Sequence, residues 1–203
     1  VIWRLVWQFM GSMIPYCLLG FFLCLGCGFI NCYKHPKKDW KRELVICVFA
    51  AYCAGLASQT IMPHWNCGID MSGKLYIDIF WDNELASVNL IPFKTILGQL
   101  SGNNSIVGEA DIHKVSVLNL LANLLLFSPI GLFLPLLWKK FRKIKNVILA
   151  GVLVSTSVEM IQFFIGRSSD IDDVFLNTLG VCVGYGLYKI ITKLKKIRIL
   201  GTA

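Results

Sequence analysis

The sequence predicts an all-α membrane protein: about five transmembrane helices in a bundle, with one long extracytoplasmic loop between the second and third. Three observations predict it. The 203 residues are 56% hydrophobic and 16% charged, with a mean hydropathy of +0.64, whereas a soluble domain carries roughly a quarter of its residues as charges. The apolar residues fall in five blocks of about twenty, the length that crosses a ~30 Å hydrocarbon layer at 1.5 Å per residue. The basic residues gather at every second block boundary, as in a chain threaded through a bilayer. The whole of 1–203 is expected to form a single polytopic domain.

Block one, about 5–30, is too long for the apolar core of a signal peptide and shows no small-residue cleavage site. Block two covers 44–62. The outer loop, about 63–114, is too long to be a simple connection. Within it, "IDMSGKLYIDIFW" (69–81) predicts a short hairpin turning at Ser72-Gly73. "SVNLIPFKTI" (87–96) is apolar around Pro92 and is expected along the outer interface, anchored by Phe93. "LSGNNSIVGEAD" (100–111) has the composition of a connector. Block three covers 115–138, block four 147–165 and block five 174–191. In block five, Gly180 and Gly184 have the small-xxx-small spacing that lets helices approach closely. In block three, Pro129 and Pro135 each remove a backbone donor and free a carbonyl.

The charges orient the chain. Lys34, Lys37, Lys38, Lys41 and Arg42 lie between blocks one and two. Lys139, Lys140, Arg142, Lys143 and Lys145 lie between three and four, and Lys189, Lys193, Lys195, Lys196 and Arg198 end the chain. Positive residues in short loops stay cytoplasmic, so the amino terminus is expected outside and the carboxy terminus inside. Alternate-boundary patches are explained by topology and not by a phosphate-binding surface, so no nucleic-acid partner is expected. The acids collect on the opposite side: Asp70, Asp78, Asp82, Glu84, Glu109 and Asp111 in the long loop, and Asp170, Asp172 and Asp173 between blocks four and five. Seven of the eight cysteines lie in or beside spans, where thiols pack as small hydrophobes. His35, His64 and His113 have no zinc-site spacing.

Polar groups at membrane depth cost free energy unless paired. Asn119 and Asn123 share one face of block three, with Asn123 about 12 Å below Val115. Glu159 and Gln162 share one face of block four, with Glu159 about 9 Å below Ile165. Asn177 stands in the first turn of block five. All are expected in the outer third of the membrane, from three separate helices. Amides such as Asn119 and Gln162 serve readily as interhelical hydrogen-bonding glue. Glu159, ionisable inside a span, points to binding or catalysis.

The cluster "SSDIDD" (168–173) has a structural explanation for part of its charge. Asp170 with Asp173, or Ser169 with Asp172, has the spacing of a helix N-cap and its return partner. A third acid is surplus to that. Asp170, Asp172 and Asp173 are candidate ligands for a divalent cation such as Ca²⁺ or Mg²⁺, or Asp172 and Asp173 could work with Glu159 as acid and base. Arg167 balances a carboxylate or grips an anionic headgroup.

Four motifs, "NLIPF" (89–93), "NLLANLLLFSPIGLFLP" (119–135), "EMIQFFIGRSSDIDD" (159–173) and "NTLGVCVGY" (177–185), resemble the VanZ-like family of bacterial membrane proteins over about 45–192. The resemblance implies a multi-pass protein of the bacterial plasma membrane. It associates the chain with raised resistance to teicoplanin, a glycopeptide antibiotic with a lipid tail, by a route that does not rebuild the peptidoglycan peptide. The family's pattern falls here on Asn89, Pro92, Phe93, Asn123, Pro129, Glu159, Gln162, Arg167, Asp170, Asp172, Asp173 and Asn177.

Three functions fit. A binder would hold a lipid-linked envelope component, or the antibiotic itself, in a polar outer-face pocket. A membrane enzyme would use Glu159 with Asp170, Asp172 or Asp173 in acyl or phosphoryl transfer on a lipid headgroup, although Ser128, Ser168 and Ser169 lack a histidine partner in any nucleophile motif. A structural protein would use the same residues as glue and caps. A transporter fits less well, because the sequence shows no internal repeat and no polar path toward the inner side. The binder is the function the sequence favours.

Overall fold

In hydrocarbon every backbone N–H and C=O must be bonded within the protein, so a chain of this composition folds as helices. In the computed structural model, residues 2–34, 39–61, 64–69, 74–80, 88–100 and 109–195 are described. Six α-helices are seen among them: α1 (Ile2–Lys34), α2 (Trp40–Thr60), α3 (Lys94–Leu100), α4 (Glu109–Leu137), α5 (Ile144–Phe164) and α6 (Ile171–Lys195). All but α3 contain a stretch long and apolar enough to cross a membrane. The chain is a multi-pass membrane protein. Each predicted block lies within or across one of these five helices. Each helix starts a few residues before its apolar block, whereas α2, α4 and α5 end one or two residues short of it.

The core is built on α4 and α6. Gly131 of α4 lies against the Val181 backbone, and Gly180 and Gly184 of α6 lie against the Leu124 and Ser128 carbonyls. Side-chain-free surfaces let the two backbones touch, which is how helices associate where lipid gives no hydrophobic drive. Helix α5 closes on α6 with Gly151 against Val181. Phe127, Ile130, Val147, Val158, Val181, Tyr185 and Tyr188 are buried between these elements, joined by Leu56 of α2. Helix α1 packs on α2, with Gly20 over Ala54 and Gly55 over Cys17 and Met13.

Helix α4 continues through both prolines. The Leu125 carbonyl, which Pro129 deprives of its donor, is taken by the Ser128 hydroxyl at 3.0 Å. The next carbonyl, Leu126, accepts the Tyr52 hydroxyl of α2 at 2.6 Å. The first bond satisfies the carbonyl that Pro129 would otherwise leave exposed to lipid, and the second ties α2 to α4 beside it.

A hairpin forms after α2, from β1 (His64–Ile69) and β2 (Leu75–Phe80), paired antiparallel with Ile69 opposite Leu75. Its first strand lies earlier than the sequence suggests, since Ile69 ends that strand instead of starting it. The turn at Ser72-Gly73 and the connector around 101–108 lie outside the described residues. The last two strands, β3 (Val88–Asn89) and β4 (Ser169–Asp170), pair parallel, with Asn89 opposite Asp170. This short pairing brings the loop motif to the acidic cluster.

Candidate functional site: four carboxylates at one end of the bundle

The site starts with the end of α5. The helix stops because Gly166 adopts φ 85°, a left-handed conformation that costs glycine nothing. Its N–H donates to the Phe163 carbonyl at 3.2 Å, and the Arg167 N–H donates to the Gln162 carbonyl at 2.9 Å. These two bonds are the Schellman closure of a helix C-terminus. The chain reverses, passes through β4 and enters α6 at Ile171.

Asp170 is the N-cap of α6: its Oδ1 accepts the Asp172 N–H at 2.9 Å. In a capping box the third helical residue would return a bond to the cap's own N–H. Here Asp173 occupies that place and turns away, and Glu159 of α5 supplies the bond across the interface, its Oε2 accepting the Asp170 N–H at 2.8 Å. Asp170 also accepts from the Asn89 amide at 3.1 Å and from the Thr95 hydroxyl.

Asp172 does for α3 what Asp170 does for α6. Its side chain is fully buried. Oδ1 accepts the Phe93 N–H at 2.6 Å, and Oδ2 accepts the N–H groups of Thr95 and Ile96 at 2.8 and 3.1 Å. A seven-residue helix is too short to stand alone. This one is nucleated by a carboxylate set on the positive end of its dipole. Phe93 pays for the geometry with φ 65°, a conformation worth about 1–3 kcal/mol of strain in a non-glycine residue. Its ring stacks on Phe175 of α6 at 5.7 Å, which with the Asp172 bond holds it there.

The other two acids are less committed. Asp173 accepts the Asn123 amide of α4 at 2.7 Å. Glu159, 6% exposed, takes the Asp170 N–H. The two carboxylates lie close enough to repel each other.

The remaining predicted residues go elsewhere at the same end. Gln162 and Arg167 both donate to the Thr60 carbonyl in the last turn of α2, at 3.0 and 3.1 Å. They cap α2 and tie it to α5, and the guanidinium complements the helix's negative end. Asn177 donates to Ser155 of α5 at 2.9 Å inside the α5–α6 contact, and its Oδ1 is buried with no partner among the described residues. The Asn119 side chain lies outside the described residues.

The structure therefore gathers Asn89, Asn123, Glu159, Asp170, Asp172 and Asp173, and sets Gln162, Arg167 and Asn177 in the joints around them. Among the described residues no three His, Cys, Asp or Glu side chains converge as a metal centre. Asp170 and Asp172 both turn to the Asn89–Ile96 segment, where they share Thr95, while Asp173 turns to Asn123 of α4. Sequence reasoning missed Thr60, Thr95 and Ser155. Thr95 stands two residues past "NLIPF", and that proximity was the available signal. Thr60 contributes only a backbone carbonyl, which leaves no signal at all.

A family model described as VanZ/LLP1 matches residues 49–192. No curated protein and no solved structure matches the chain.

Proposed function

The chain belongs to the VanZ-like family, and we propose that it binds a lipid-linked cell-envelope component, or a lipoglycopeptide antibiotic of the teicoplanin type, at its carboxylate end. One observation carries this: the four acids divide their work. Asp170 and Asp172 are filled by cap and loop donors. Glu159 and Asp173 face each other's charge beside Asn123, an arrangement that suits a ligand rich in hydroxyl or amine donors. Asp170 and Asp172 each take three such bonds, whereas Glu159 and Asp173 are less heavily bonded, through the Asp170 N–H and the Asn123 amide.

In this reading the carboxylate end faces the extracytoplasmic side of a bacterial plasma membrane; the clustering of Lys139, Lys140, Arg142 and Lys143 at the other end supports it through the positive-inside rule. An envelope component or an antibiotic reaches that face without crossing the bilayer. Bound there, it would be kept from its own target, and teicoplanin-type resistance follows if the antibiotic is the ligand.

The closeness of Glu159 to Asp173 also supports a second reading, an enzyme acting on a lipid headgroup with one carboxylate as base. In that reading Glu159 and Asp173 would hold a divalent cation that polarises the headgroup, and chelation would abolish turnover. Native mass spectrometry of the purified protein separates the two. Under our reading an intact lipid-linked species or added teicoplanin travels with the protein unchanged and without metal. Conversion of the bound species to product refutes it, as does the absence of any retained species.

A further inference from the structure

We infer that the bound ligand is an anionic lipid, one chain of which lies in a crevice between α2, α4 and α5. The inference rests on the outer-face binding proposed above and says where the tail of that ligand goes. The crevice has a volume of about 460 Å³ and is lined by Phe49, Leu56, Ala57, Ile130, Leu153 and Val158 among others. Along α2 it reaches from Phe49 to Ile61, about 18 Å at 1.5 Å per residue, more than half of a ~30 Å hydrocarbon layer. It exists because α2 and α5 scarcely touch along their lengths. They are joined at one end, where Gln162 and Arg167 hold the Thr60 carbonyl.

The lining is dry. Its hydroxyl, on Thr60, is turned back onto the Leu56 carbonyl at 2.9 Å. An acyl chain that follows the apolar lining makes dispersion contacts along its length. A chain already in the bilayer gains nothing further from leaving water. Preference for this crevice over ordinary lipid contact must therefore come from fit and from the head. The head is decided by Arg167, whose guanidinium stands at the crevice mouth on the last turn of α2. A positive group there selects a phosphate or other anionic headgroup. Crevice and carboxylate cluster are linked through the turn after α5: Arg167 holds the carbonyl of Thr60, which lines the crevice, and Asp170, three residues on, is bonded by Glu159. A lipid seated with its tail in the crevice presents its headgroup substituents to Glu159 and Asp173.

The test uses the full chain in phosphatidylcholine vesicles. They contain phosphatidylglycerol carrying a diazirine on one acyl chain or, in a second preparation, phosphatidylcholine carrying the same group. Cross-links are mapped by mass spectrometry. The inference expects labelling concentrated at Cys53, Ala57 and Leu153 relative to the lipid-facing Phe22 and Leu187, and stronger with the anionic probe. Ala57→Trp or, separately, Cys53→Trp fills the crevice and lowers that labelling about tenfold, equivalent to ~1.4 kcal/mol, with labelling at Phe22 unchanged. Two bulky variants at different heights guard against one that fails to fold. Label spread evenly over all lipid-facing positions, or unaffected by either variant, overturns the inference. Equal labelling by the two probes overturns the choice of an anionic head. Lipid retained in native mass spectra alongside an empty crevice sinks this inference and leaves the binding reading standing. Loss of both the retained lipid and the crevice label sinks both.

Discussion

Replacing Asp172 by Asn is the substitution that separates building the site from using it. The wild-type carboxylate accepts three backbone N–H groups, from Phe93, Thr95 and Ile96. An asparagine has one acceptor oxygen. If it keeps Thr95 and Ile96, its NH₂ faces the Phe93 N–H, donor against donor. One charge-assisted bond is then lost outright, worth about 1.5–3 kcal/mol, and a buried N–H is stranded at a further ~1–3 kcal/mol. The two surviving bonds weaken because the charge is gone. Neutralisation also removes the cost of burying a charge, which offsets part of the loss. The bonds come from a preorganised turn, so the loss dominates, and the net is about 3 kcal/mol. That is roughly two decades in the local opening equilibrium. Hydrogen exchange on the protein in nanodiscs should show 88–100 exchanging about a hundredfold faster in Asp172→Asn, with the α4–α6 contact still protected. Exchange within about threefold of wild type, under ~0.7 kcal/mol, would refute the idea that Asp172 holds this segment.

Other substitutions probe the frame. Gly184→Ala drives a methyl into the Ser128 carbonyl, costing about 1–3 kcal/mol of overpacking. Thermal unfolding in detergent should fall by roughly 2–4 °C per kcal/mol, while Gly186→Ala, which meets nothing within 4 Å, leaves it unchanged. Arg167→Met removes one donor from the Thr60 carbonyl, so the last turn of α2 should exchange about tenfold faster, as expected for a charged hydrogen bond of ~1.5 kcal/mol. A cysteine replacing exposed Ser168 should react with an impermeant thiol reagent in intact cells. One replacing Lys140 should react only after permeabilisation, and the reverse pattern would invert the topology.

Much of the fold was legible because the bilayer imposes length and charge rules that leave plain marks. The five spans, the flanking lysines and the Gly180–Gly184 face are all read from spacing along one helix. Asp170 was one of the two caps, with Ser169, that the spacing allowed, because a cap acts on the next turn of its own chain. Gln162 proved to tie helices together, as intramembrane amides commonly do. The joins between distant segments were not legible. Asn89 and Asp170 pair across 81 positions through two-residue strands that have no pattern to detect. Helix α3 is too short to announce itself, and its cap comes from Asp172, 77 residues beyond Thr95. The expected return bond within α6 failed for a related reason: Asn123 draws Asp173 away, and Glu159 fills the vacancy from another helix.

The most direct measurement compares ligand retention in Glu159→Gln and Asp173→Asn with exchange at 88–100 in the same preparations. Both substitutions are isosteric, so the amide oxygen introduced at position 159 can still accept the Asp170 N–H. If Glu159 and Asp173 are the ligand-holding pair, the lipid-linked species or teicoplanin seen with wild type disappears while 88–100 stays protected. Full retention of the ligand in both variants would contradict the account, as would loosening of 88–100 to the extent seen in Asp172→Asn.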